Sequence, residues 1–157
     1  AEALEQILPG LGNLYLSAGE RPRVRFFEDI EGLKTIQDEI LKTKEKLIKA
    51  VTNADDVLKL FPQHAKNYIP KRVQRGIRSK IIYTSSEGDF LKSTDKEMLR
   101  ESKFIESSKM PFSGDMLTYG QNVVISVVSK KQFGIIIESE EIAKSFGAIF
   151  DLLWEKI

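Results

Sequence analysis

Strand-like and helix-like segments alternate along these 157 residues. That alternation predicts an α/β fold, a mixed sheet flanked by helices in a single domain. Two observations carry the expectation. The first is a β-branched run from Val123 to Val128, a short polar interval (Ser129, Lys130, Lys131, Gln132) and a second apolar run from Phe133 to Glu138. Together they read as an antiparallel hairpin. Neither run alternates apolar with polar, so the hairpin is expected inside a sheet covered on both faces. The second is the helix signal directly after the hairpin. Ser139 suits an N-cap, Glu140 and Glu141 suit the positive end of a helix dipole, and Ile142, Phe146, Ile149, Phe150 and Leu153 recur at helical spacing. That stripe is expected to pack the last helix on the sheet.

The remaining elements are read from the N-terminus. Ala1 to Leu8 reads as the tail of a helix, with Leu4, Ile7, Leu8 and Leu11 on one side and a break at Pro9-Gly10. After turn-like residues from Ser17 to Pro22, Arg23 to Phe27 alternates as a first strand. Asp29 is expected to cap the next helix, with Ile30, Leu33, Ile36, Ile40 and Leu41 inward and Lys34, Asp38, Glu39, Lys42 and Lys44 outward. Leu47 to Val51 is a second strand. Ala54 to Phe61 is a short helix stopped at Pro62, and Pro70 to Arg75 another, opening on proline and ending at Gly76. Ile77 to Thr84 is the third strand. Thr94 with Glu97 forms a capping-box pattern, which predicts a helix from Asp95 to Glu101 ahead of a fourth strand from Lys103 to Glu106. Asp115 to Tyr119 is the fifth strand.

Composition narrows the function classes. Lys plus Arg is 24 against 23 for Asp plus Glu, so there is no general electrostatic case for nucleic acid or an anionic membrane. Zero cysteines exclude disulfides, thiolate metal sites and cysteine nucleophiles. No apolar run approaches the roughly 20 residues of a membrane helix, and no signal pattern opens the chain. A cytoplasmic protein without membrane contact is the expectation. A start at Ala1, already in helical-looking sequence, suggests a domain excised from something longer.

Three blocks carry a family resemblance: PRVRFFEDIEGLK from Pro22 to Lys34, IPKRVQRGIRSKIIYT from Ile69 to Thr84, and the hairpin with its terminal helix from Phe112 to Ile157. In that order they resemble the effector-binding domain of the TrmB-like transcriptional regulators of archaea and bacteria. The resemblance implies a fold similar to the phospholipase D nucleases without their catalytic residues. It implies that residues 1–21 are the end of a linker and 22–157 the regulatory domain, behind an N-terminal winged helix-turn-helix that the chain lacks. It also implies a homodimer and a small-molecule effector, a sugar in the better-known members, with DNA contacted only through the missing domain.

The residues themselves set limits on this. His64-Ala65-Lys66 has the His-x-Lys spacing of a phospholipase D site, but Lys71 stands where the motif needs Asp, and the mechanism needs a pair of histidines where this chain has one. A surface histidine and a non-enzyme are therefore expected, with a phosphodiesterase or nuclease as one rival reading and a module binding a protein partner as another. The basic cluster Lys66, Lys71, Arg72, Arg75, Arg78 and Lys80 is read as a wet helix face and strand entrance. Arg25 draws more interest than Arg21 or Arg23, for it sits on the strand that ends at Phe27-Glu28. Capping and dipole compensation account for Asp29 and Glu31 but not for Glu28. With one histidine and no phosphate-cradling glycine loop, neither a metal site nor any other cofactor is expected.

What remains is a polar set at expected strand ends: Tyr83, Thr84, Ser85 and Ser86, then Ser113, Asp115, Thr118 and Tyr119. Ligands of open α/β sheets bind where loops beyond strand ends converge. Glu28, Tyr83, Ser85, Asp115 and Tyr119 are therefore expected to meet in one ligand-binding cleft, presented by the first, third and fifth strands.

Overall fold

The computed structural model describes residues 21–128 and 130–157. The linker expectation for residues 1–21 falls, except for Arg21, outside the described residues, and so does Ser129 of the hairpin interval. The elements run β1 (Arg23–Glu28), α1 (Asp29–Leu41), β2 (Leu47–Asn53), α2 (Ala54–Leu60), α3 (His64–Gln74), β3 (Arg78–Thr84), β4 (Arg100–Phe104), β5 (Asp115–Tyr119), β6 (Asn122–Val127), β7 (Phe133–Glu138) and α4 (Glu140–Lys156). They build the expected α/β domain, one mixed seven-stranded sheet in the order β1-β7-β6-β5-β2-β3-β4. The trio β2, β3 and β4 is parallel, and every other neighbouring pair is antiparallel.

Strand alternation sorts side chains onto two faces. On one face Ile48 and Ala50 of β2, Leu117 of β5, Val124 of β6 and Ile136 of β7 meet Leu33, Ile36 and Ile40 of α1, with Tyr68 of α3 against them. On the other, Val51 of β2 and Ile82 of β3 meet Phe150 of α4, joined by Phe146, Leu153 and Trp154. The helix α1 lies close over the hairpin because Gly134 has no side chain. A Cβ there would collide with Ile36 Cδ1 and meet Leu33 Cδ2 at 3.0 Å.

Caps fall where short polar residues precede apolar runs. Ser139 accepts from the Ile142 N–H at 3.2 Å and opens α4 as expected, and Asn53 does the same for α2, accepting from Asp56 N–H at 3.1 Å. Asp29 does not cap α1. It is the first helical residue, in the left-handed region at φ 61°, with its N–H bonded to Gln132 O at 3.0 Å, and exposed Glu28 stands at the N-cap without a side-chain bond.

Three further expectations are corrected. The helix α3 begins at His64 and contains Pro70, because Tyr68, Ile69 and Arg72 all turn inward. Pro70 itself is exposed, so the bond it forgoes lies on the wet side of the helix. The helix expected from Asp95 to Glu101 is a 3₁₀ turn over Lys92–Thr94 and one further turn. Leu99 at φ 48° ends it, with Arg100 N–H bonding Asp95 O at 2.9 Å and Leu99 N–H bonding Lys96 O at 3.4 Å, a Schellman closure. The Asp95 carboxylate is spent on Arg100 and Ser102, which starts β4 at Arg100, three residues earlier than expected. On α4, Ile149 is 68% exposed and Ile142 also faces out, whereas Ala143, Phe146, Phe150 and Leu153 face the sheet. Small Ala143 and Gly147 let the helix approach on that side.

Candidate functional site

Between the sheet and the helices α1, α2 and α3 lies a cavity of about 390 Å³. Its floor is set by register. Thr52 of β2 pairs with Asp115 of β5, which pairs with Ser126 of β6, so three polar side chains form one rung across adjacent strands. Thr52 Oγ1 donates to Asp115 Oδ1 at 2.6 Å. One pleat below the rung, Ala50 and Leu117 continue the floor, and the small Ala50 leaves the space open. The walls are aliphatic and aromatic, drawn from Ile36 and Ile40 of α1, Val57 of α2, and Tyr68 and Ile69 of α3. Leu58 and Phe90 line the cavity yet remain 38% and 37% exposed, which places its mouth between α2 and the loop after β3.

Asp115, His64 and Tyr68 all lie deep in the fold, yet each keeps accessible surface, since the cavity stands against them where packed atoms would otherwise be. His64 stacks on Tyr68 with ring centroids 4.9 Å apart, and Gln37 Nε2 lies 3.4 Å from its Nδ1. At one end Arg72, 3% exposed, donates to the carbonyls of Ile77 and Met98 at 2.6 Å each and of Leu99 at 3.4 Å. It staples the end of α3 to the entrances of β3 and β4. Burial pulls its basicity down from the ordinary arginine value.

Burial also pushes the Asp115 carboxyl up to about 6, against the pull of the Thr52 hydroxyl and the Met116 N–H. Burial first, then the positive charges of Arg72 and Arg100, brings the His64 imidazole down to about 4. The two titrations oppose each other. Above about pH 4, folded Asp115 still holds a proton that the unfolded chain has released, so its contribution to stability falls until about pH 6. Folded His64 is neutral where the unfolded chain is protonated, so its contribution rises from about pH 4 to 6.5. Each amounts to about 3 kcal/mol, and in the wild type they nearly cancel. Urea unfolding measured against pH should therefore show stability rising through this window in Asp115→Asn and falling in His64→Gln. Two variants that both track the wild-type profile would mean that these groups titrate as they do in water.

Of the five residues expected to converge, only Asp115 lines the cavity. Because β5 runs antiparallel to β2, Tyr119 lies opposite Ile48 at the far end of the strand, near Arg25 and Glu39, its hydroxyl buried without a partner. Glu28 is exposed on edge strand β1, which β7 and β6 separate from β5. Tyr83 and Ser85 shape the mouth without touching the interior. Tyr83 donates to Asp89 Oδ1 at 2.7 Å and holds Phe90 edge-on at 5.7 Å, while Ser85 donates to Asp55 Oδ1 at 3.3 Å and so ties the loop to α2. Arg25 is an ion-pair hub, bidentate to Glu39 at 2.7 Å and 3.0 Å from Glu138.

Sequence reasoning misses Thr52, Ser126, His64 and Arg72 as cavity residues. Their signal is faint: Ser126 is a lone polar residue within an apolar run, Thr52 stands beside Asn53 at the end of its strand, and only the register brings them together. His64 and Arg72 read as surface residues in the sequence, and the early start of α3 turns both inward. Lys66 of the His-x-Lys triplet is exposed and does not line the cavity. Among the described residues no group of three or more His, Cys, Asp or Glu side chains is placed to hold a metal, and no helix is long and apolar enough to cross a membrane.

No protein-family model matches the chain, and no curated protein matches it. Solved structures do. The structure of TrmBL2, an archaeal chromatin protein with a novel mode of DNA binding, is 20% identical, with a TM-score of 0.61 over 99% of this chain and 60% of that one. NucT from Helicobacter pylori is 12% identical, with a TM-score of 0.60 over 86% of this chain and 97% of that one. Nuc from Salmonella typhimurium, a phospholipase D family member, is 13% identical, with a TM-score of 0.59 over 86% and 95%. The fold is thus the one the sequence resemblance implied, common to TrmBL2 and the phospholipase D nucleases. This chain spans about 60% of the length of TrmBL2.

Proposed function

We propose that this chain is the effector-sensing and dimerising domain of a TrmB-like transcriptional regulator, that a small molecule occupies the cavity above Thr52, Asp115 and Ser126, and that the domain is not an enzyme. The observation that carries the reading is the cavity itself. It measures about 390 Å³ and opens to solvent between α2 and the loop after β3. A space of that size, apolar-walled with a few polar groups at its floor, has the form of a ligand site. Its walls come from three helices, so an occupant that prefers one packing of α1 and α3 over another shifts the geometry of whatever is attached.

Against a nuclease stand the single histidine and the divergence of His64 from Lys66. The balanced charge supports DNA contact through an attached domain in place of this one. For a homodimer speak Val24 and Phe26 on edge strand β1, 50% and 70% exposed, a pair of apolar side chains that a second copy would cover. Light scattering reads that state directly. The functional test is a thermal-shift screen of metabolites, paired with a phosphodiesterase assay of the pure chain. A compound that stabilises the wild type, with no turnover, is expected; turnover abolished by His64→Ala would overturn the reading.

A further inference from the structure

We propose that the occupant of this cavity is a largely apolar molecule carrying one cationic amine, its ammonium resting on Asp115 between Thr52 and Ser126. The inference deepens the effector reading and rests on it. The polar chemistry of the floor is that of an acceptor set. Thr52 gives its hydroxyl proton to Asp115 Oδ1 and the Met116 N–H bonds the same carboxylate, which leaves the Thr52 lone pairs, the remaining carboxylate lone pairs and the Ser126 hydroxyl to receive donors. An ammonium has three N–H groups for those three acceptors. Among the described residues Asp115 forms no ion pair, so a deep carboxylate stands with one hydroxyl and one backbone N–H and no cation bonded to it. A buried charge in that state gains most from an opposite charge brought by a ligand.

Competing ligand classes fit less well. A sugar would bring many hydroxyls against walls such as Ile40, Val57 and Leu117, which offer no partners, and each hydroxyl buried unpaired is costly. A carboxylate would have to reach Arg72 or Arg100, which both line the cavity but are already bonded, Arg72 to the carbonyls of Ile77, Met98 and Leu99, and Arg100 to Asp95, Leu91 O and Thr94 Oγ1. The aromatic surfaces of Tyr68, Phe61 and Phe90 line the cavity and suit a planar apolar body.

The test is calorimetric titration of the chain with four probes: tryptamine, its alcohol counterpart tryptophol, indole-3-propionate and maltose. The expected result is tryptamine binding at least about tenfold tighter than either indole analogue, the scale of one charge-assisted hydrogen bond. Asp115→Asn should erase that preference, bringing tryptamine to the affinity of tryptophol for the same variant, and Ser126→Ala should weaken tryptamine several-fold if the first variant does not fold. Equal affinities for the three indoles, or tryptamine binding retained in Asp115→Asn, would overturn the amine assignment. Maltose bound by the wild type and lost in Ala50→Phe, which fills the cavity, would leave the site standing and remove the ligand class. Probe affinities all untouched by Ala50→Phe would remove the site as well.

Discussion

Phe150→Ala should cost the domain about 3 to 5 kcal/mol, the range for truncating a buried aromatic side chain. Phe150 is 1% exposed, packs on Val51 and Ile82, and stacks on Trp154 at 5.7 Å. It is the central contact by which α4 covers its face of the sheet. The control is its neighbour. Ile149 is 68% exposed, so Ile149→Ala should change urea stability by less than about 0.5 kcal/mol. Equal losses at the two positions would mean that α4 is rotated from its described setting.

Asp95→Ala should be comparably damaging, at about 3 to 5 kcal/mol, because it strands a buried arginine. Asp95 accepts from Arg100 Nε at 2.7 Å, from Ser102 N–H at 2.8 Å and from Ser102 Oγ at 2.7 Å. The Arg100 side chain is almost fully enclosed, and its remaining bonds go to Leu91 O and Thr94 Oγ1. In an Arg100→Leu background the same substitution should cost markedly less, since no charge is then left unpaired. A double-mutant cycle with no coupling would show that Asp95 stabilises the turn by itself.

Much of this architecture is legible in the sequence. Ser139 caps where expected, the β-branched runs pair as a hairpin, and the alternation of elements yields the mixed sheet. The misses have physical causes. Asp95 looks like the first turn of a helix because a capping pattern carries only local information, whereas its carboxylate answers to Ser102 and Arg100 across a turn. Ile142 and Ile149 share a helical stripe with Phe150, but two apolar stripes adjoin on α4 and sequence does not say which one the sheet takes. The candidate site is the least legible part. Asp115 stands out as a polar residue at a strand end; its partners Thr52 and Ser126 lie on strands whose order, β6-β5-β2, has no trace in local pattern. Tyr119 groups with Asp115 in the sequence because both belong to one short strand, but its ends lie about 13 Å apart, and its antiparallel direction sets Asp115 beside Thr52 and Tyr119 beside Ile48.

On the proposal made here, the cavity over Thr52, Asp115 and Ser126 takes a small molecule. Fluorescence titration with N-phenyl-1-naphthylamine, an apolar probe that brightens out of water, tests it most directly. One saturable site is expected on the folded wild type, lost in Ala50→Phe, whose ring enters the space and whose fold is checked by circular dichroism. Absence of saturable binding, or a titration that Ala50→Phe leaves unchanged, would contradict it.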